Sequence, residues 1–407
     1  MTKTRWRSRR LACQRGAVLI QVTVALLALL ALSAFVFDYG VMWASRGQAQ
    51  NSADAGALAG AIALAFDGVE PLADAKTDAV AKAKAIALRN NVWGSAPDVT
   101  DADVTFPECP IGAPGLPDTC VKVDVFRTGH AAYARANPKP LPTFFARLAG
   151  VLEQGVTATA TAQVFAGTSA RCVKPWAVPD KWMERYPDEV PWTMDSEFDI
   201  EGKGKDKGPL ANPDVYIPPG QPGHTGFTVE NDLGTEMTLK VGHPKNAIQP
   251  GWFFPVVIDP GNVGGRRYRD AIEGCATPVI GPGTILQTEP GNMIGPTNHG
   301  MDYLIDLDED GEWDPVAKKP TGGCMEAGTC GTSPRLIALA VFDVDHFTRF
   351  GGGGRTEVRV VKILGFWLDR MQGNDVVGYL THYPTIAAGT PTVDEDSTFL
   401  RTVILVR

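Results

Sequence analysis

The run AVLIQVTVALLALLALSAFVF occupies Ala17 to Phe37, and FDYGVMWASRGQAQNSADAGALAGAIALA continues it from Phe37 to Ala65. The first run has 21 residues and no charge. At about 1.5 Å of rise per residue, a helix of that length crosses a hydrocarbon core of about 30 Å. The second run restores charge and is dense in alanine and glycine. Small side chains let another helix approach closely, so Ala55, Ala57, Ala59, Gly60 and Ala61 are candidate helix-packing positions. Alanine-rich helices are marginal in isolation, so this one is expected to need a partner.

Charge is distributed around this stretch. Lys3, Arg5, Arg7, Arg9, Arg10 and Arg15 make residues 1–15 strongly basic, with no acid among them. The chain as a whole carries −8, so everything beyond the tail is acidic. Basic residues beside an apolar span are retained on the cytoplasmic side, which predicts an N-terminus inside and the bulk exported. No exported segment shares the basic charge, so a nucleic-acid partner is not expected. Three fates of the N-terminus stay open: a retained anchor, a cleaved signal, or pilin-like processing after Gly16. Secretory apolar regions usually span about 7–15 residues, which favours the anchor. Processing after Gly16 would place Gln21 fifth, where type IV pilins carry glutamate.

Asp38-Tyr-Gly40, Arg46 and the series Gln50-Asn51-Ser-Ala-Asp54-Ala55-Gly-Ala57-Leu-Ala59-Gly60-Ala61, preceded by Arg15-Gly16-Ala17, carry a resemblance. This pattern resembles the N-terminal signature of TadE/TadG-like proteins of Flp (Tad) pilus assembly. The resemblance implies an envelope protein with a single N-terminal helix, tied to assembly or anchoring of a tight-adherence pilus. Further on, VKVDVF, FFARLAG and VTATATA follow one another as in TadG-like relatives, and Glu289 to Pro296 resembles a turn of the longer members. No DxSxS metal-adhesion motif is present, so the von Willebrand A domain of some relatives is not expected.

Residues 72–89 supply an internal partner for the small-residue helix. Leu72, Ala75, Ala79, Ala83 and Ile86 recur at helical spacing, with Asp67-Gly68 and Pro71 as the turn. A helical hairpin is therefore favoured over an exposed assembly surface. Val99–Phe106, Cys120–Arg127 and Val156–Phe165 alternate as strands, and a short amphipathic helix is expected from Thr143. Residues 167–232 look connective, with Trp176, Trp182 and Trp192 as core anchors. Strands are expected at Met237–Val241, Trp252–Ile258, Leu336–Val344, Glu357–Trp367, Val376–Leu380 and Phe399–Val406. The fold class is α+β, divided as follows: tail 1–16, transmembrane helix 17–37, helical hairpin with small α+β unit 38–167, connection 168–232, and a β-rich, sandwich-like exported domain 233–407.

Cys13 precedes the span, and Cys109, Cys120, Cys172, Cys275, Cys324 and Cys330 form an even set beyond it. An even set suits an oxidising compartment. Spacing alone does not decide among the pairings of six cysteines. The close pairs Cys109–Cys120 and Cys324–Cys330 are expected, with Cys172–Cys275 left by elimination.

Asp306-Leu-Asp308-Glu-Asp310-Gly311-Glu312-Trp-Asp314 is the sharpest chemical motif. Oxygen ligands at alternate positions, a glycine at the sixth and an acid at the ninth match the start of a calcium loop. The twelfth position is Ala317 rather than glutamate, and Pro315 opposes an exit helix, so a weak structural calcium site is the expectation. Asp343-Val-Asp345-His346 could ligate a metal but more simply marks the end of a strand. Gly351–Gly354 lacks the Lys-Ser/Thr of a phosphate loop. HExxH, GxSxG, Walker A and dinucleotide fingerprints are all missing. The expected function is a non-enzymatic, inner-membrane-anchored envelope protein whose partners are pilus-assembly proteins or pilin, with no small-molecule substrate identified. The alternative is a calcium-dependent surface adhesive protein that shares only the anchoring helix.

Overall fold

The structure, a computed structural model, describes residues 14–66, 72–109, 120–187, 191–202, 208–243, 247–261, 263–291, 293–327, 329–330, 332–350, 356–385 and 399–406. The basic tail to Cys13, the turn at 67–71 and the glycine run at 351–355 lie outside the described residues. Helix α1 (Gln14–Phe66) is one unbroken helix of 53 residues, about 80 Å long. By length and composition, its apolar half is sufficient to cross a membrane. Helix α2 (Leu72–Arg89) returns antiparallel along the C-terminal half of α1.

Five strands come next: β1 (Val104–Thr105), β2 (Cys120–Arg127), β3 (Leu141–Pro142), β4 (Glu153–Gln154) and β5 (Val156–Gly167). The second part contains β6 (Val173–Pro179), α3 (Val229–Asp232), β7 (Glu236–Val241), β8 (Trp252–Val257), α4 (Gly265–Glu273), β9 (Ile285–Thr288), α5 (Ile294–Asp306), β10 (Gly311–Asp314) and β11 (Lys319–Gly322). It ends with α6 (Gly323–Glu326), β12 (Leu336–Phe342), α7 (Val344–Phe350), β13 (Glu357–Gln372), β14 (Asp375–Thr381), β15 (Tyr383–Pro384) and β16 (Leu400–Val406).

The first sheet has the order β1-β2-β5-β16-β15. Its inward face follows the period of two: Val121, Val123 and Val125 from β2, and Ala158, Ala160, Ala162 and Val164 from β5. Helices α1 and α2 cover that face, and the alanines of β5 leave room for α1 to lie close. The latest strand in the sequence lies inside this sheet, because β16 pairs antiparallel with β5 along its whole length and with β15 on its other side. The chain's last described strand therefore completes its first unit.

The second sheet has the order β12-β6-β8-β7-β14-β13-β9, with β12–β13 and β8–β9 also paired. These extra pairings close the ladder on itself, where the sequence suggested two stacked sheets. Strand β12 is buried throughout: Ile337, Leu339 and Val341 face one core, and Ala338, Ala340 and Phe342 the other. A strand covered on both faces loses its alternation, as EVRVVKILGFW does. The sheets divide the chain elsewhere than at 168 and 233. Strand β6, inside the stretch 168–232 that looks connective in sequence, pairs with both β12 and β8. Trp176 and Trp182 are buried core anchors, as expected.

Helices α4 and α5 were not legible in the β-rich reading. Pro296 and Gly300 interrupt the periodicity of α5. Gly300 is needed for contact: a Cβ there would lie 2.6 Å from Ile272 of α4. The three expected disulfides, Cys109–Cys120, Cys172–Cys275 and Cys324–Cys330, are all formed.

Candidate functional site

The seam between α1 and α2 is made of methyl groups. Ala49, Ala53, Ala57, Ala61 and Ala65 recur every fourth residue on α1, facing Ala75, Ala79, Ala83 and Ala87 of α2. Residues four apart share a helix face, so both stripes are continuous. Of the candidate packing positions, Ala57, Gly60 and Ala61 are buried, while Ala55 and Ala59 flank the seam half-buried. Ser52 Oγ donates to Ala87 O at 2.8 Å, a polar bond across the buried seam. The small-residue stretch of α1 is thus part of the core of the first unit.

Where α1 leaves its apolar half, Asp38 joins it to the head. The Asp38 carboxylate accepts the backbone N–H groups of Phe144 (2.7 Å), Phe145 (3.0 Å) and Ala146 (2.6 Å). These donors begin the single turn Ala146–Ala149, so the short amphipathic helix expected from Thr143 is reduced to one 3-10 turn. The Phe37 and Phe145 rings stand 5.7 Å apart. Gln154 Nε2 donates to Asp38 O at 3.4 Å from the other side of the loop. Beside this junction, Tyr39, Met42, Trp43 and Arg46 of α1 border a cleft of about 250 Å³ with residues 155–157. The sequence signal for this clamp was an acid directly after an uncharged run, which membership of a signature had absorbed.

Above the junction, Arg135 fastens the loops of the first unit. It bonds Asp98 and Asp103, each at 2.7 Å, and lies over the Phe126 ring. Burial would raise the Asp103 carboxyl, but the Arg135 and Thr100 hydrogen bonds outweigh it and hold it below the usual range.

The acids of the DxDxDG motif are dispersed. Asp306 ends α5, and Asp306, Asp310 and Glu312 are exposed. Asp308 is buried and turned inward, where its carboxylate accepts the Cys324 N–H at 2.8 Å and the Ser333 hydroxyl. Asp314 accepts the N–H groups of Val316 (2.8 Å) and Ala317 (3.0 Å). Those two bonds, Ala317 first, hold its carboxyl below the usual range. Among the described residues, no three His, Cys, Asp or Glu side chains gather as a metal-holding group. In this arrangement the five acids do not fit a calcium shell. What the motif forms is the turn into the β10–β11 hairpin.

Arg335 organises that turn. Its buried guanidinium donates to Leu368 O (2.9 Å), Asp308 O (2.9 Å), Gly311 O (2.7 Å) and Asp369 O (2.6 Å), over the Trp367 ring. Asp343 caps α7 by accepting the His346 N–H at 2.9 Å, and Asp345 pairs with Arg349 at 2.8 Å. Two further buried lysines are likewise tied to the fold. Lys362 donates to Phe227 O at 2.8 Å and lies 3.6 Å from Asp180. Asp180 also accepts the Tyr216 hydroxyl and the Phe227 N–H. Burial lowers the Lys174 ammonium to about 8, although it donates to Ile272 O and Gly274 O at the end of α4.

Residues 16–63 match a known family, described as Putative Flp pilus-assembly TadE/G-like. The match lies wholly on α1, from the residue before the apolar run to Ala63, and takes in the alanine stripe as far as Ala61. No curated protein and no solved structure matches the chain.

Proposed function

We propose that the chain is a non-catalytic envelope protein anchored in the inner membrane by α1, with its N-terminus cytoplasmic, serving assembly or anchoring of a Flp/Tad-type pilus. The observation that carries this reading is the coincidence of the family match with one continuous helix, whose apolar half is exposed and whose small-residue half is built into the head. The basic tail before the span supports the orientation. The disulfides suit an exported head. A head held by a rigid helix would offer its surface to pilus-assembly proteins or pilin at a fixed height above the bilayer. The test is deletion of the gene in its host. Loss of surface pili and attachment, restored by the intact chain, supports the role. Unchanged pili and attachment, with no pilus component co-purifying, contradict it.

A further inference from the structure

We propose that the loop from Thr143 to Leu152 is a second membrane contact, seated in the headgroup boundary of the bilayer that α1 crosses. The inference rests on the anchoring reading of α1. Phe144, Phe145, Val151 and Leu152 are 55%, 41%, 50% and 62% exposed, a concentration of large apolar side chains that a surface in water seldom shows.

Their position in the fold selects lipid as the occupant. The Asp38 clamp pins the loop at the residue where the uncharged run ends. Phe145 touches Phe37, the last residue of that run, and so sits at the same depth. Around this level α1 exposes Phe35, Tyr39 and Trp43 in a row along one side and Phe37 on another, aromatic side chains of the kind that belt membrane boundaries. Arg147 on the loop and Arg46 on α1 are exposed and long enough to reach lipid phosphates while the apolar side chains point inward.

The backbone is also prepared for an apolar boundary. Unpaired N–H groups are costly away from water, and those of Phe144, Phe145 and Ala146 are all taken by Asp38. Thr143 Oγ1 donates to Val151 O at 2.7 Å and closes the loop at its base. The loop therefore enters as a finished unit, about 5–10 Å into the boundary as interfacial segments do. Two contacts, span and loop, fix the tilt of the head on the membrane where a single helix would leave it free.

The experiment uses the full chain with Cys13→Ser, carrying one added cysteine labelled with an environment-sensitive fluorophore, in vesicles of phosphatidylethanolamine and phosphatidylglycerol. The positions are Leu152→Cys for the loop, Leu27→Cys for the span and Val316→Cys for an exposed point of the second part; all three side chains are exposed, so the fold is retained. Quenching by lipids with a nitroxide high on the acyl chain is compared with quenching by aqueous iodide. The expected result is lipid quenching at Leu27, lipid quenching at Leu152 several-fold above that at Val316, and iodide quenching at Val316 alone. Lipid quenching at Leu27 with Leu152 as open to iodide as Val316 overturns the loop contact and leaves the anchor standing. No lipid quenching at Leu27 overturns the anchor, and the loop contact with it.

Discussion

Gly60→Ala and Gly47→Ala are the same substitution in the same helix, and Gly60→Ala should leave the protein the less stable of the two. A Cβ at Gly60 would lie 2.8 Å from Val121 Cγ1, 3.0 Å from Ala83 Cβ and 3.2 Å from Ala79 O, whereas at Gly47 nothing lies within 4 Å. Apolar carbons rest about 3.5–4.0 Å apart, so α1 must move away from both α2 and β2. Overpacking of this kind costs about 1–3 kcal/mol. Each substitution also gains up to about 1 kcal/mol of helix propensity, and that gain cancels in the comparison. The difference between the two variants is therefore the packing term alone, about 1–3 kcal/mol. At about 2–4 °C per kcal/mol for a unit of this size, Gly60→Ala should melt at least about 2 °C below Gly47→Ala. Thermal unfolding of the detergent-solubilised chain, followed by circular dichroism, measures this. Equal or reversed midpoints would refute the claim that α1 is packed into the core at Gly60.

Three further outcomes are expected. Arg335→Ala should lower stability by at least about 3 kcal/mol in urea unfolding, because four carbonyls lose a buried charged donor, and Arg335→Lys should recover little, since an ammonium lacks the planar fork. Asp308→Asn should shift the urea midpoint equally in EDTA and in millimolar calcium, because its carboxylate is engaged by Cys324 and Ser333; a calcium-dependent shift in the unsubstituted chain that this variant abolishes would restore the calcium loop. Lys174 holds its proton to about pH 8 when folded but to about 10.5 when unfolded. Between those values the unfolded state binds the extra proton, so stability should rise with pH from 8 towards 10.5 and that slope should vanish in Lys174→Met.

The N-terminal half of the fold was legible because its signals are local. An uncharged run, the helical spacing of Ala75, Ala79 and Ala83 and the alternation of CVKVDVFR and VTATATAQVF each specify an element without help from elsewhere. The disulfides followed because two pairs were close in sequence. The second part was harder because strands buried on both faces, such as VKPWAVP and LIALAVF, show no alternation. The return of β16 to β5 is a pairing between distant segments that no local pattern announces. At the candidate sites, the spacing of Asp306 to Asp314 was visible but the direction of each carboxylate was not. Asp308 faces inward because Cys324, Ser333 and Arg335, all later in the chain, supply its partners. Asp38 stands out in the sequence only as part of a signature, because its three amide partners lie more than a hundred residues away.

That one uninterrupted helix serves both membrane and head is the claim on which the rest depends. Its most direct test is the distance between spin labels at Leu29→Cys, within the span, and Asn51→Cys, on the exposed face of the packed half, in the full chain with Cys13→Ser in vesicles. At about 1.5 Å per residue, a continuous helix separates these positions by about 33 Å. A single narrow distribution near that distance is the predicted result. A shorter or broad distribution would mean that α1 bends or breaks between bilayer and head, and would contradict the account.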